Sequence, residues 1–169
     1  MIKGKQLLGM QIIGQSDGVH MGVVQDLVFD HDSDELLALV LAEKDLFGLI
    51  DAQVVLWQSV IRIGADAVLV DGANSKVALR SVTRLSDVAT RETALSGTKV
   101  LAQDGKNLGT LADMCVDETT GKVLGYEVSN GFFADTLHGK KFLPAPPGLS
   151  IGKDAAIAPP AAENALQKQ

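Results

Sequence analysis

Four carboxylates, Asp30, Asp32, Asp34 and Glu35, fall in one short run whose alternate spacing is how a calcium-binding loop begins. A hard cation needs oxygen ligands around a sharp turn and a closing bidentate carboxylate, so an EF-hand loop demands Gly at its sixth position and Glu at its twelfth. Counted from Asp30, those positions hold Glu35 and Leu41. The run therefore reads as a solvated hairpin turn, with weak surface binding of a divalent ion left open. His20, His31 and His138 fall in or beside turns without the close spacing of a metal site, and Cys115 lies far from each of them in sequence. No Gly-x-Ser-x-Gly elbow, P-loop or Gly-x-Gly-x-x-Gly occurs. On these grounds no catalytic residue, cofactor site or metal ligand is assigned, and Cys115 is expected to act as a small buried hydrophobe.

The stretch with more to offer runs from Ser129 to Pro144. It carries Phe132 and Phe133, then His138, Lys140 and Lys141. Aromatic anchors ringed by polar groups are how protein interfaces concentrate their energy, so these five residues form the candidate protein interface. The competing reading tucks Phe132 and Phe133 into a barrel mouth or an interdomain seam. Trp57 invites the same two readings, with burial favoured.

These groups must be positioned by a chain of 169 residues, 46% apolar but only 4% aromatic, so the core is built from Val, Leu, Ile and Ala. Such a length suits one domain or two small ones. The longest apolar run, Leu36 to Ala42, is far short of the ~20 residues of a membrane span. A net charge of -6 opposes direct nucleic-acid binding, and Lys140-Lys141 is too small an exception to invert the field. The single cysteine excludes an internal disulfide and suits a reducing compartment. Gly9, Gln11, Gly14 and Gln15 break any signal-peptide core after Lys3 and Lys5. A cytoplasmic protein is expected, with peripheral association with a membrane complex still open.

The positioning elements come in duplicate. Asp17, Gly18, Gly22, Asp26 and Asp30 recur, evenly displaced, as Asp104, Gly105, Gly109, Asp113 and Asp117. Asp-Gly marks a tight hairpin turn, because Gly tolerates positive φ and Asp bonds its own backbone. Gly18, Gly22, Gly105 and Gly109 are thus turn or bend residues. Neither parity of the strands over 22–30 and 109–117 is purely apolar, as in a bulged strand, and Asp26 and Asp113 are read as carboxylates accepting backbone N–H bonds at the bend. The following strand, 36–41, is apolar on both faces, which calls for a second cover from the other unit or another subunit. Its counterpart, 123–128, sets Glu127 against Tyr126 as a half-exposed strand would. Ile63-Gly64-Ala65-Asp66-Ala67 and Ile151-Gly152-Lys153-Asp154-Ala155 close the two copies. Asp71 to Ser75 is a turn-rich break between units. Val82, Leu85, Val88 and Ala89 have helical spacing over 81–91, with Ser81 or Ser86 as N-cap. Beyond Pro159-Pro160, residues 161–169 are helix formers, in a helix too short to persist without tertiary support.

Short strands with turn signals at this spacing predict a mainly all-β chain, a small antiparallel barrel or sandwich twice over, with a short connecting helix and a short C-terminal helix. The expected boundaries are 1–80, a linker at 81–94, and 95–169. Leu8-Gly9, Asp17-Gly18, Gly22-Val23-Val24-Gln25-Asp26, Leu39-Val40-Leu41 and Ile63-Gly64-Ala65-Asp66-Ala67 resemble the PRC-barrel domain. That β-barrel is named after the photosynthetic reaction-centre H subunit and also occurs at the C-terminus of a ribosome maturation factor. The second copy resembles it through Gly97, Asp104-Gly105, Leu108-Gly109, Asp113, Gly121, Gly125-Tyr126-Glu127 and Ile151-Gly152-Lys153-Asp154. The chain departs from both namesakes: no transmembrane helix and no separate N-terminal domain precede the first barrel. The resemblance implies two small antiparallel β-barrels in tandem, a binding or assembly module with no catalytic residues, docking on a protein partner or on itself. Its second implication is an assembly or maturation factor for a ribonucleoprotein or a photosynthetic membrane complex. An unrecognised metal-dependent enzyme ranks below both.

Overall fold

Alternating Val, Leu and Ile lay down strands in both copies, and the intervening Asp and Gly residues turn them. The computed structural model describes residues 1–30, 32–42, 52–84, 97–131, 139–145, 149–152 and 154–168. The first copy contains β1 (Ile2–Lys3), α1 (Gly4–Leu7), β2 (Gln11–Gly14), β3 (His20–Asp30), β4 (Glu35–Leu41), β5 (Gln53–Leu56), β6 (Val60–Ile63), β7 (Ala67–Val70) and β8 (Lys76–Ala78). The second contains β9 (Lys99–Ala102), β10 (Asn107–Val116), β11 (Val123–Ser129), β12 (Lys141–Pro144), β13 (Ser150–Ile151), β14 (Ala155–Ala158), α2 (Ala161–Ala165) and β15 (Gln167–Lys168). The first sheet runs β6-β7-β2-β3-β4-β5-β8 and the second β13-β14-β9-β10-β11-β12-β15, the same order strand for strand. Two compact units result: Ile2–Arg91 with Asp117–Lys122, and Met1 with Glu92–Val116 and Val123–Gln169.

Along these two strand orders the pairings are antiparallel except β2 with β7 and β9 with β14, which are parallel. The repeated Ile-Gly-x-Asp-Ala explains it. Gly64 N–H donates to Ala67 O at 2.8 Å and Gly152 N–H to Ala155 O at 2.9 Å, closing a hairpin whose second strand runs alongside the first strand of its own copy. The sheet thereby curls towards a barrel instead of lying flat.

The long strand of each copy bends at a bulge. Register shifts between Val24 and Asp26 in β3, and between Leu111 and Asp113 in β10. Asp26 Oδ1 accepts from Leu27 N and Asp113 Oδ1 from Met114 N, each at 2.8 Å. A bulge moves later side chains to the opposite face, which is why neither parity reads as purely apolar.

The loops at Asp17-Gly18 and Asp104-Gly105 are longer than a two-residue hairpin turn, joining Gly14 to His20 and Ala102 to Asn107. Asp17 Oδ1 accepts from Val19 N and Asp104 Oδ1 from Lys106 N, both at 3.0 Å, with Gly18 and Gly105 at φ of 67° and 86°. Asp17 also reaches across the fold: its Oδ2 accepts from Ala73 N at 2.9 Å, while Ser16 N donates to Asp71 O at 2.9 Å. The segment Asp71 to Ser75 is therefore no boundary between units. It is tied into the first and leads into β8.

β4 is buried on both faces, with Val40 3% exposed. Val28, Ala38, Val40, Val54 and Leu79 form one cluster, flanked by Val77 and Val82. The face that carries Ala38 and Val40 is thus packed by residues of its own unit. Ser81 Oγ donates to Ala78 O at 2.6 Å, and Ser86 and residues 85–91 of the expected connecting helix lie outside the described residues. At the far end helix occupies only Ala161–Ala165, because Gln167 and Lys168 pair with Phe142 and Lys141 in β12.

Gly22 and Gly109 share a place at the start of the bent strand, with φ of 142° and 129°, where L side chains are strained. Their surroundings differ. A Cβ at 22 would lie 3.6 Å from Leu41 Cβ, whereas one at 109 would lie 2.6 Å from Ser129 O. We expect Gly22→Ala to cost about 1 kcal/mol and Gly109→Ala about 3 kcal/mol, read by urea unfolding of each variant. Equal losses would contradict this account.

Candidate functional site

Of the five residues read as an interface, Phe132, Phe133 and His138 lie outside the described residues, as does His31 of the acidic turn. Lys140 and Lys141 are described, and both are engaged within their own unit. Lys140 Nζ lies 3.3 Å from Glu127 Oε2, and the Glu127 side chain is only 3% exposed against 38% for Lys140. Glu127 is therefore not on a half-exposed face. It stands in β11 between β10 and β12, opposite Asp113 and Phe142, so neighbours cover it from both sides. Parity marks which face a residue is on, not what packs there; a carboxylate so buried requires a cation or strong donors. Lys141 sits in β12 opposite Val128. With the Asn130 amide turned to satisfy its neighbours, Asn130 Oδ1 accepts from Lys141 Nζ at 3.1 Å and its nitrogen donates to Leu108 O at 3.0 Å. Trp57 is buried, at 5% exposure, and Cys115 is fully buried in β10.

The acidic turn after β3 has a cationic answer that the local sequence does not display. Arg84 Nη2 donates to Asp30 Oδ2 at 3.1 Å, to Ser33 Oγ at 2.7 Å and to Glu35 Oε2 at 2.7 Å. Lys122 Nζ lies 2.9 Å from Glu35 Oε1. Lys122 comes from the 117–122 segment of the same unit, where Gly121 O accepts from Leu36 N at 2.9 Å and Glu35 bridges Lys122. Two of the four carboxylates that resembled the opening of a calcium loop, Asp30 and Glu35, are thus bound to Arg84 and Lys122. Among the described residues no three His, Cys, Asp or Glu side chains converge as a metal site would require.

The electrostatics follow from these contacts. Hydrogen bonds from Lys122 and then Arg84 bring the Glu35 carboxyl down from 4.5 to about 2. Burial pushes Asp30 up, but bonds from Arg84, Ser33 and the Asp32 amide outweigh it and leave its pKa lowered. The equivalent turn in the other copy needs no cation. Asp117 Oδ1 accepts from Thr120 N at 2.8 Å and Thr119 N at 3.0 Å, which lowers its pKa also. Neither Arg84 nor Lys122 was legible as a partner of Asp30 and Glu35, since both lie far along the chain.

Two curled sheets of one topology, with carboxylates fixing their turns and bends, define a duplicated β-barrel scaffold. The PRC-barrel domain matches residues 1–77 and again residues 91–165, and the chain belongs to that family as a tandem of two such barrels. No curated protein matches the chain. Domains of this family are generally protein-interaction and assembly modules and are generally non-catalytic. Among the described residues no helix is long and apolar enough to cross a membrane.

Glu35 titrates below its ordinary value in the folded chain, so its contribution is fully present above pH 4.5 and is lost as pH falls through about 2. Arg84 is 53% exposed, and solvent screening holds the contribution to about 1 kcal/mol. Thermal melts of wild type and Glu35→Gln should differ at neutral pH and converge towards pH 2. A difference that persists there would exclude the ion pairs as its origin. Lys140→Met, which strips the ammonium from Glu127, should cost about 2 kcal/mol in urea unfolding, with Lys140→Arg close to wild type.

Proposed function

We propose that the chain is a non-enzymatic protein-binding and assembly module of the cytoplasm, docking its two PRC-barrels on a protein partner or on a second copy of itself. The observation that carries this reading is the open end of the first sheet. Its edge strand β6 presents Ile61, 53% exposed, beside an exposed Arg62. A large apolar side chain beside a cation on an edge is the composition of an interface anchor. The register shift between Val60 and Arg62 places Ile61 in a bulge. Bulges discourage strand addition, so contact through side chains fits this edge better than an added partner strand. Phe132 and Phe133, read from the sequence alone, supply a second set of anchors in the other copy.

The test is affinity capture at native expression followed by mass spectrometry, with size-exclusion light scattering for self-association. Wild type should retain one stoichiometric partner or form a defined oligomer. Either Ile61→Lys or the pair Phe132→Ser and Phe133→Ser should lower that retention by about tenfold while the thermal melt stays intact. A chain that is monomeric and captures nothing stoichiometric would end the reading.

A further inference from the structure

A cavity of about 600 Å³ opens in the second unit, between the start of β10, the end of β11, β12 and the residue that follows α2. Its size lies in the range of small-molecule sites. Its polar lining is Lys106, Asn107, Thr110, Ser129, Asn130 and Lys141, and among the described lining residues there is no carboxylate. Two lysines line this space, in a chain of net charge -6. Asn130 holds the head of Lys141, itself anchored on Leu108 O, so this cation has a fixed place at the wall. Gly109 leaves the wall room to close up: a Cβ there would lie 2.6 Å from Ser129 O and 2.8 Å from the Asn130 side-chain amide.

The other copy shows that the fold does not need these residues. Where the second copy has Lys106, Asn107, Thr110 and Ser129, the first has Val19, His20, Val23 and Ala42 on strands of the same order. One scaffold is thus built twice, with Val19, His20, Val23 and Ala42 in one copy and a cationic, amide-bearing and hydroxyl-bearing set in the other. A structural role common to both copies does not account for the difference.

We propose that this cavity binds a small polyanion, a carboxylate or phosphate compound, between the Lys106 and Lys141 ammonium groups, with Asn107, Thr110, Ser129 and Asn130 as neutral hydrogen-bonding groups. Charge-assisted donors on two sides suit such a ligand, and no covalent chemistry is implied.

The test is an amide chemical-shift titration of the full chain with citrate and, separately, with inorganic phosphate, against chloride at matched ionic strength. At least one polyanion should shift the amides of residues 106–110 and 129–131 and saturate, and the one that saturates at lower concentration identifies the ligand class. Lys106→Val, which installs the first copy's residue, and Lys141→Met should each weaken binding about tenfold or more, with Lys141→Arg retaining it. If Lys141→Met does not fold, Lys106→Val carries the test. Shifts that fail to saturate, that chloride reproduces, or that survive both substitutions would overturn the site.

Discussion

The bend in the long strand of each copy is the constraint on which the rest of the architecture depends. β3 pairs with β2 through Val23 and Gly22 and with β4 from Val24 onward, so one strand serves both halves of a curled sheet. A straight strand cannot do so. The bulge before Asp26 supplies the change of direction, and the carboxylate takes up the Leu27 amide that the irregular ladder exposes. Leu111 and Asp113 repeat the arrangement in β10. Once that turn is made, the Ile-Gly-x-Asp-Ala hairpin can return a strand parallel to the first of its copy.

Charge in this molecule is used mostly to fix backbone. Asp17 joins two loops of the first unit through Val19 and Ala73, Asp117 wraps its own turn, and Glu35 and Asp30 gather Arg84 and Lys122. Each of these carboxylates ends on a backbone amide or a cation, which favours its ionised form. A family defined by such turn and bend residues specifies a scaffold. What the scaffold recognises is then left to the side chains on which no bend depends.

That division is visible when the copies are compared. The bulge aspartates and the closing hairpins are shared, while the surroundings of Gly22 and Gly109 differ: Leu41 alone faces the first, and the Ser129 carbonyl and Asn130 side chain join Val128 around the second. Duplication frees one copy to carry a different surface on a backbone whose folding information is already complete. The tandem is accordingly better understood as two barrels of unequal chemistry than as one motif repeated for bulk.

By itself the sequence determined the local grammar: the duplication, the Asp-Gly loops, the strands and the family, because these rest on residue type and short spacing. It could not show that Asp71 to Ser75 is fastened to Asp17, that Glu127 is buried beside Lys140, or that β4 is covered by Leu79 of its own unit. Nor could it name Arg84 and Lys122 as the cations of the acidic turn, where local pattern suggested a bare solvated loop. Those contacts join residues distant along the chain, and only the tertiary structure decides which charges meet, since periodicity encodes the face a side chain takes and not the group that comes to rest against it.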